Sequence, residues 1–365
     1  PSVAKVRVPP TGDALGEVHS LQLYTYTQCI YEKGKVVQGT DEGWIKMKKC
    51  EYTDNGATIT CWEANVVPGY TITKLRANGT EERTLSSAIT PVAGKFYNIT
   101  LNKDKGYTDD GQGNYTVTSA EGLKNLAELV NNGDTDINIT LDNDIDLSDI
   151  NWTPIGDYYN RYTGTFDGGN YTITGLTVTG SNEYAGLFGR IGSGGTVKNV
   201  VLKDVQIESD NQDGCVGGVA GNSDGNIENC SVSGSVSSRH TAGGVVGQQF
   251  GGSITLCGSS ATVKGTGEVG GVAGKTDNSA TLTGCYATGN VTFERASTIN
   301  TFAGGVVGVN GTGSILTACY ATGSVTGTGT GTGSCYVGGV TGDNASGSLT
   351  ACYHATGTVS GPDGA

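Results

Sequence analysis

The sequence has little of several features that identify common classes of protein. It contains seven prolines and one methionine, and no apolar run reaches the roughly eighteen residues of a membrane-spanning helix. Glycine is abundant, at 61 residues, but lacks the Gly-X-Y period of collagen. Basic side chains are few as well: 22 Lys and Arg stand against 35 Asp and Glu, which gives a net charge of −13. Since nucleic-acid binding needs a basic surface, we expect no nucleic-acid partner.

Sequence signs of catalysis are also sparse. The three histidines and ten cysteines form neither a C-x-x-C nor an H-E-x-x-H motif. The only charged side chains in residues 301–365 are Asp343 and Asp363. A polysaccharide lyase needs an acid–base pair, commonly with calcium and a basic residue, and substitution of Asp167 or Arg161 would test for one. We expect a non-enzymatic protein; a carbohydrate-active enzyme or a polysaccharide-binding module is the alternative.

Residues 1–107 contain no internal repeat and are typical of half-buried antiparallel strands. Polar positions alternate with Thr, Tyr, Ile and Val in the segments 21–27, 43–52, 57–64, 70–75 and 95–102. Asn55-Gly56 favours a two-residue hairpin turn that places Cys50 opposite Cys61. These two cysteines could form a disulfide or face each other as small buried thiols. We predict an N-terminal antiparallel β-sandwich over residues 1–107.

One helix is predicted, at residues 118–132, after a polar linker at 102–114. Ser119 can cap its first turn, and Leu123, Leu126 and Val130 form an apolar stripe at helical spacing. A lone helix that leads into repetitive β-structure is well placed to cover the open end of stacked strands. We therefore predict a short helical cap at the N-terminal end of the second domain.

From Gly186 onward a four-residue phrase with a glycine at each end recurs. It reads GLFG, GVAG, GVVG, GVAG, GVVG and GVTG, beginning at residues 186, 218, 244, 271, 305 and 339. A repeat of about 27 residues cannot bury its own apolar face, so each repeat must stack on its neighbours. We predict an all-β protein whose residues 108–365 form a parallel β-solenoid of about six coils, with three short strands and three corners in each coil.

Stacking makes equivalent positions of successive coils neighbours. One inward position holds Val200, Cys230, Cys257, Cys285, Cys319 and Cys352 in turn, and we expect buried free thiols there. The residues that follow the last three of these cysteines are Tyr286, Tyr320 and Tyr353, which should face outward and stack. Such a ladder could bind sugar rings or a partner surface; ordinary stacking within a surface strand is the alternative.

Two further groups of residues are candidates for binding. Loops at one corner of the solenoid differ between repeats, at 208–215, 237–242, 292–302 and 326–336. A variable corner is usually the contact surface of a solenoid, and Phe293 and Arg295 are candidate ligand contacts there. Asp142, Asp144 and Asp146 would project from one face of a strand and could hold calcium; a solvated edge strand is the simpler interpretation.

These phrases resemble GLUG-motif repeats, as do the segments LDNDIDLSDINWTPIG (141–156) and YTGTFDGGNYTITGL (162–176). That resemblance covers about residues 114–365. The first hundred residues, which end in PVAGKFYNITLN (91–102), resemble the closing part of a fimbrillin-like β-sandwich. Together the two parts are similar to fimbrillin-like surface adhesins of Gram-negative anaerobes.

The resemblance implies an exported protein of the cell surface or outer membrane. Such proteins bind a host glycan or host protein, or join other fimbrial subunits, and are frequently held by a lipid anchor on an N-terminal cysteine. The anchor would then precede the residues of this sequence. We therefore expect a non-enzymatic adhesin, or fimbria-associated protein, that binds its partner through the solenoid loops.

Overall fold

The computed structural model describes residues 3–9, 18–54, 56–99, 105–295 and 299–362. The chain forms two compact units, residues 1–104 and 105–365. The second unit begins earlier than the sequence indicated, because the strand Tyr107–Asp109 pairs with Asn114–Val117 of the solenoid. No described helix has the length and apolar character needed to cross a membrane.

The first unit consists of two sheets that bury their facing side chains. Sheet A contains, in spatial order, Lys48–Asp54, Ala57–Val66, Ala4–Val8 and Phe96–Asn98. Sheet B contains Lys35–Lys46, Leu21–Glu32, Ile72–Ala77 and Glu81–Ile89. Val6 and Val66 of sheet A lie in one buried cluster with Leu23 and Leu75 of sheet B, which confirms the predicted sandwich. The described strand pairs are antiparallel except Ala4–Val8 with Phe96–Asn98.

The register predicted for the hairpin of sheet A is confirmed. Cys50 lies opposite Cys61, and Tyr52 lies opposite Ile59. Both cysteines are free thiols, and burial raises the pKa of the Cys61 thiol. Asn55, the first residue of the predicted turn, lies outside the described residues.

The second unit winds into coils that stack through four sheets, here called sheets 1 to 4 in the order in which a coil passes through them. Neighbouring coils pair in parallel in all four sheets. The strands of sheet 1 are Tyr184–Ala185, Cys215–Gly217, Thr241–Gly243, Glu268–Gly270, Thr301–Gly304 and Cys335–Gly338. Those of sheet 2 are Phe188–Ile191, Ala220–Ser223, Val246–Phe250, Ala273–Asp277, Val307–Asn310 and Thr341–Asp343.

Sheets 3 and 4 complete each coil. Sheet 3 begins with Tyr107–Asp109 and Asn114–Val117 and continues with Asn138–Leu141, Thr165–Asp167, Thr196–Lys198, Asn226–Glu228, Ser253–Thr255, Thr281–Thr283, Ile315–Thr317 and Ser348–Thr350. The strands of sheet 4 are Ile145–Asp146, Thr172–Thr174, Thr177–Val178, Val201–Ser209, Ser231–Ser238, Gly258–Ser259, Thr262–Gly265, Tyr286–Ala287, Val291–Glu294, Tyr320–Ala321, Val325–Thr328, Tyr353–His354 and Val359–Ser360.

The prediction of three strands per coil is wrong, because the glycine-bounded phrase is a bend between two strands. In one coil the bend Gly218-Val219 separates Cys215–Gly217 of sheet 1 from Ala220–Ser223 of sheet 2. A Cβ atom on Gly218 would lie 2.7 Å from the Gly244 carbonyl oxygen of the next coil, so the first position of the bend has room for glycine only.

Backbone hydrogen bonds join the bends of successive coils directly. The Val219 amide donates to the Val245 carbonyl at 2.8 Å, and the Val245 amide donates to the Val272 carbonyl at 2.9 Å. The Val272 amide donates in turn to the Val306 carbonyl at 2.8 Å. All four side chains are fully buried. The predicted stacking of equivalent residues is therefore confirmed.

The helix Ala120–Asn131 covers the N-terminal end of the coils, as predicted. Ser119 is its N-cap, and the Ser119 hydroxyl accepts a hydrogen bond from the Gly122 amide at 3.1 Å. Leu123, Leu126 and Val130 are buried in the same cluster as the interior of the coils. The amphipathic stripe thus closes an apolar end that would otherwise face water.

The corner between sheets 3 and 4 requires a left-handed backbone in each coil. Asn170, Asn199 and Asn229 supply it with φ values of 64°, 55° and 49°. The Asn229 side-chain amide also donates to Asn199 Oδ1 at 2.9 Å. The next coil has Leu256 at this position, with φ of 53° and 63% of its surface exposed. Leucine lacks both properties that favour asparagine at this position. It does not tolerate positive φ well, and it cannot form the side-chain hydrogen bond to the asparagine of the neighbouring coil.

We therefore expect Leu256→Asn to stabilise the protein by about 1 kcal/mol, since the left-handed conformation costs other residues about 1–2 kcal/mol. Guanidinium unfolding followed by circular dichroism measures this change. Ile315→Asn is the matched control, because Ile315 is an exposed apolar residue within a strand of sheet 3. An equal gain from the control, or no gain at Leu256, would contradict the assignment of strain to this corner.

Candidate functional site

The connections from sheet 4 to sheet 1 form one corner of the solenoid, here called the loop corner. It consists of residues 179–183, 210–214, 239–240, 266–267, 295–300 and 329–334, of which 296–298 lie outside the described residues. The loops that were predicted to vary all fall on this corner. Two short loops, 239–240 and 266–267, lie between the longer loops 210–214 and 295–300. This difference in length leaves a concave surface.

That concave surface is a cleft of about 580 Å³, here called the arginine cleft. It is lined by Gln212, Asp213, Arg239, His240, Thr266, Glu294, Arg295 and Ile299. Arg295 therefore lies on the corner where it was predicted, and Arg239, which sequence reasoning did not single out, lines the same cleft. The side chains come from four successive coils, which places them together although up to 87 residues separate them in the sequence.

The two arginines of the cleft differ in how they are held. Arg295 Nε donates to the Gly333 carbonyl at 2.7 Å, which fixes its side chain against the next loop. The Arg239 guanidinium has no ion-pair or hydrogen-bond partner among the described residues. A guanidinium with free donors can bind a carboxylate or sulfate group in a bidentate manner.

A hydrogen-bonded network lies behind His240. Thr241 Oγ1 donates to Glu268 Oε2 at 2.7 Å, and His240 Nδ1 lies 2.9 Å from the Thr241 hydroxyl. Glu268 Oε2 is also 3.3 Å from His240 Nδ1. Cys215 belongs to the same edge of sheet 1, but burial raises the pKa of its thiol to about 11. The arrangement orients His240 and does not activate Cys215 as a nucleophile.

Tyr286, Tyr320 and Tyr353 stack on sheet 4 as their spacing predicts. The ring centroids of Tyr286 and Tyr320 are 5.6 Å apart, and those of Tyr320 and Tyr353 are 5.4 Å apart, with near-parallel planes. The rings therefore cover one another, and only their edges and the outer face of Tyr353 remain open. Their role as ligand contacts stays a prediction.

Phe293 cannot contact a ligand, so the prediction for this residue is wrong. It is 1% exposed and lies in a buried cluster with Val263 and Val291. The alternation of the strand turns Thr292 and Glu294 outward and Phe293 inward. The ring occupies space left by glycine in the next coil, since a Cβ atom on Gly327 would meet it at 2.2 Å.

The calcium site considered as an alternative at Asp142, Asp144 and Asp146 is not formed. The described residues contain no group of three or more side chains arranged to hold a metal ion. Strands end at Leu141 and resume at Ile145, so the three carboxylates do not share one strand face. Asp144 Oδ1 instead accepts from the Thr172 amide at 2.7 Å, and Asp146 Oδ1 accepts from the Ser148 amide at 2.9 Å.

The residues considered for lyase chemistry lie in separate ion pairs. Arg161 Nη1 is 2.9 Å from Asp224 Oδ2, and Lys198 Nζ is 3.4 Å from Asp167 Oδ2. The segment GNSDG (221–225) has the form of a hydrolase nucleophile motif, but Ser223 is fully buried. Its hydroxyl bonds to the backbone of Gly225, so it is part of the coil's own turn.

Four of the five cysteines of the ladder are confirmed as buried free thiols, whereas Cys352 in the last coil is a free thiol that is partly exposed. Cys230, Cys257, Cys285 and Cys319 are buried, and their thiols donate to backbone carbonyls of their own and the preceding coil. Hydrogen bonding with Cys230 and burial raise the pKa of Cys257. Hydrogen bonding with Cys319 and burial likewise raise the pKa of Cys285. Hydrogen bonding with Cys285 lowers the pKa of Cys319 to about 7, but Cys319 is fully buried. The ladder therefore belongs to the scaffold and not to an accessible reactive site.

Sequence reasoning missed a second cleft, of about 440 Å³, here called the tyrosine cleft. Tyr158, Tyr159 and Tyr184 supply its aromatic surface. The adjacent pair Tyr158-Tyr159 is a sequence signal for this surface. Neighbouring residues of a strand point to opposite faces, so two adjacent tyrosines of a coil can both be exposed only in a loop. Both rings are exposed and belong to a loop.

Comparison with known proteins identifies the repeats. Residues 212–237 match the GLUG motif. A protein of Evansella cellulosilytica named a Gly-rich membrane protein is 35% identical over 125 residues, which are 32% of this chain and 14% of that protein. Halomucin of Haloquadratum walsbyi is 40% identical over 89 residues, 24% of this chain and 1% of halomucin. This chain thus spans a small part of either relative.

A solved structure supports the fold. A Bacteroides ovatus protein that carries the name immunoglobulin A1 protease superposes with a TM-score of 0.52 at 20% identity, over 69% of this chain and 77% of that chain. At this level of identity the likeness concerns the β-solenoid fold alone. The fimbrillin-like resemblance of the first unit stays a prediction.

Because Phe293 is a core residue, we expect Phe293→Ala to lower the free energy of unfolding by about 3–5 kcal/mol. Phe302→Ala is the matched control: Phe302 is partly exposed and stacks on Tyr336 at 5.0 Å, so about 1 kcal/mol is expected. Chemical denaturation of the two variants measures both values. Equal losses would argue against the buried position of Phe293.

The thiol ladder predicts selective chemical labelling. With a water-soluble disulfide reagent at pH 8, we expect the native protein to react at its partly exposed cysteines, which are Cys29, Cys50, Cys335 and Cys352. Cys257 and Cys285 should react only after unfolding. Peptide mass mapping locates the labelled positions. Native labelling of Cys257 as fast as that of Cys29 would show that the coils open far more readily than this packing implies.

Proposed function

We propose that the protein is a surface-associated, non-enzymatic binding protein whose solenoid presents the loop corner to a glycan or protein on another surface. The observation that carries this proposal is the arginine cleft, which lies on the corner where the loops differ in length. Elsewhere on the coils, side chains repeat in register and serve the stacking. A concave, charged surface built from several loops on a rigid scaffold is typical of a recognition site.

The charge of the cleft favours a partner with acidic groups. Arg239 and Arg295 face Asp213 and Glu294 in a protein whose net charge is −13, so the arginine cleft is locally less acidic than the chain as a whole. Arg239 has the free donors that a carboxylate or sulfate group would bind. A carboxylated or sulfated glycan, or an acidic protein loop, supplies such groups.

A surface location is supported by the relatives and not by this chain's own composition. The two partial relatives are named a membrane protein and halomucin. If the first unit is fimbrillin-like, as its sequence resemblance implies, it would join the protein to other surface subunits. Its long edge strand Lys35–Lys46 could pair with a strand of such a subunit.

The non-enzymatic part of the proposal rests on the states of the candidate catalytic groups. Cys215 has a raised thiol pKa, Ser223 is fully buried, and Asp167 and Arg161 are engaged in different ion pairs. These groups are held as parts of the scaffold. The arginine cleft, in contrast, offers hydrogen-bond donors without an adjacent activated nucleophile.

The proposal is tested by binding of the full chain to immobilised mucin-type glycoproteins and acidic polysaccharides. We expect the double substitution Arg239→Ala/Arg295→Ala to weaken binding about tenfold or more, since hydrogen bonds to charged groups contribute about 1.5–3 kcal/mol each. Surface plasmon resonance measures the change at fixed ionic strength.

Lys203→Ala/Lys264→Ala is the matched control, because it removes the same charge from exposed positions on sheet 4. Equal weakening by both pairs would indicate non-specific attraction and would remove the cleft from the proposal. An unchanged affinity after the arginine substitutions would place the contact elsewhere on the protein.

A further inference from the structure

The tyrosine cleft lies at the N-terminal end of the loop corner. Its walls come from the loop 157–160 and from the first corner loop with the strand that follows it, residues 182–184. Tyr158, Tyr159 and Tyr184 form an aromatic surface, and Asp157 and Glu183 lie at its rim. It shares no lining residue with the arginine cleft.

The loop that carries two of the tyrosines is held rigidly. Asp157 Oδ1 accepts from the amides of Tyr159 and Asn160 at 2.8 and 2.7 Å. Asn131, at the end of the helix, accepts from the Gly156 amide at 2.7 Å through its side chain and from Asn160 Nδ2 at 2.9 Å through its carbonyl. Even so, 89% of Tyr159 is exposed. Because the loop is already fixed, the exposed Tyr159 ring can cover a ligand with little loss of conformational entropy of the protein.

A buried arginine supports the other two rings from below. The Arg190 guanidinium lies 4.7 Å from the Tyr184 ring centroid and 5.3 Å from that of Tyr158, and the residue is 8% exposed. Arg190 Nη2 donates to Asn222 Oδ1 at 3.1 Å, while Nε has no hydrogen-bond partner within the described part of the chain. Among the described residues Arg190 has no carboxylate in ion-pair contact. The Arg190 guanidinium therefore makes cation–π contacts that hold the two aromatic rings in place, instead of an ion pair.

The mixed charges around the tyrosine cleft give no strong preference for a ligand of either charge. Asp157 and Glu183 at the rim repel a carboxylate or sulfate group. The Arg190 guanidinium already makes cation–π contacts with the rings of Tyr158 and Tyr184, and its positive charge repels a cationic ligand. A neutral ligand with apolar C–H faces and many hydroxyl groups fits this cleft. The tyrosine rings can cover the C–H faces of the ligand, and the rim carboxylates can accept hydrogen bonds from its hydroxyl groups.

We propose that the tyrosine cleft binds a neutral pyranose unit of a glycan. Burial, together with a hydrogen bond to Glu183, raises the pKa of Tyr184 to about 12. This site is an addition to the proposed function and does not need it, because the two clefts present different side chains and select ligands of different charge. If one of the two clefts does not bind its proposed ligand, the proposal for the other cleft is unaffected.

The test is native affinity electrophoresis of the full chain through gels that contain laminarin, galactomannan, xyloglucan, pullulan or dextran. We expect at least one of these neutral polysaccharides to retard the wild-type protein. Tyr159→Ala should weaken the interaction about tenfold, as titration calorimetry with the matching oligosaccharide would measure. Tyr159→Phe, which keeps the ring, should bind nearly as the wild type does.

Three controls make the result decisive. Tyr171→Ala removes an exposed tyrosine from another part of the solenoid and should leave retardation unchanged. Arg239→Ala/Arg295→Ala should also leave it unchanged, which separates this site from the arginine cleft. Because Tyr159 is almost fully exposed, its substitution should not alter thermal unfolding. The proposal is overturned by an absence of retardation with all five polysaccharides or by wild-type affinity in Tyr159→Ala.

Discussion

The structure of the second unit depends on one interaction, the backbone hydrogen bond from each glycine-bounded bend to the equivalent bend of the next coil. The chain of bonds from Val219 through Val245 and Val272 to Val306 holds four fully buried side chains in line. A bend of this sharpness needs glycine, and stacking needs the same small apolar residue in every coil. The repeated sequence is therefore a direct consequence of neighbouring coils sharing one interior.

This constraint also decides where binding residues can lie. A side chain in a stacked strand must fit its equivalents above and below, as the buried thiols and the Tyr286–Tyr320 pair do. The loop corner is free of that requirement, and there the connections range from the two residues of 239–240 to the six of 295–300. Short loops between long ones produce the arginine cleft. The tyrosine cleft has a different origin, because it forms where the loop 157–160 lies beside the first corner loop.

The solenoid could be predicted from the sequence, because the same glycine-bounded phrase and the same pattern of apolar residues recur in each repeat. The cap at Ser119 and the pairing of Cys50 with Cys61 rest on local rules and were equally accessible. The position of Phe293 beside a variable loop suggests exposure, whereas the alternation along its strand turns both Val291 and Phe293 inward. The calcium prediction failed because a turn at 142–144 interrupts the strand it assumed. The sequence indicates the corner that carries Arg295, but the shape and full lining of either cleft could not be predicted, since each joins residues from separate coils whose distances only the stack determines.

The two clefts belong to one continuous surface, because hydrogen bonds join the corner loops themselves. The Ser181 hydroxyl donates to Asp210 Oδ1 at 2.6 Å, and the Asn211 side-chain amide donates to the Ser181 carbonyl at 3.3 Å. The loop 179–183, whose last residues line the tyrosine cleft, is thereby fixed to the loop 210–214, which lines the arginine cleft. Since both loops stand on stacked strands, the spacing between the clefts is set by the scaffold and not by loop motion. A ligand that reached both would have to be extended along the stack and carry neutral and acidic groups in that order, a pattern that an oligomeric glycan can present and a small molecule cannot.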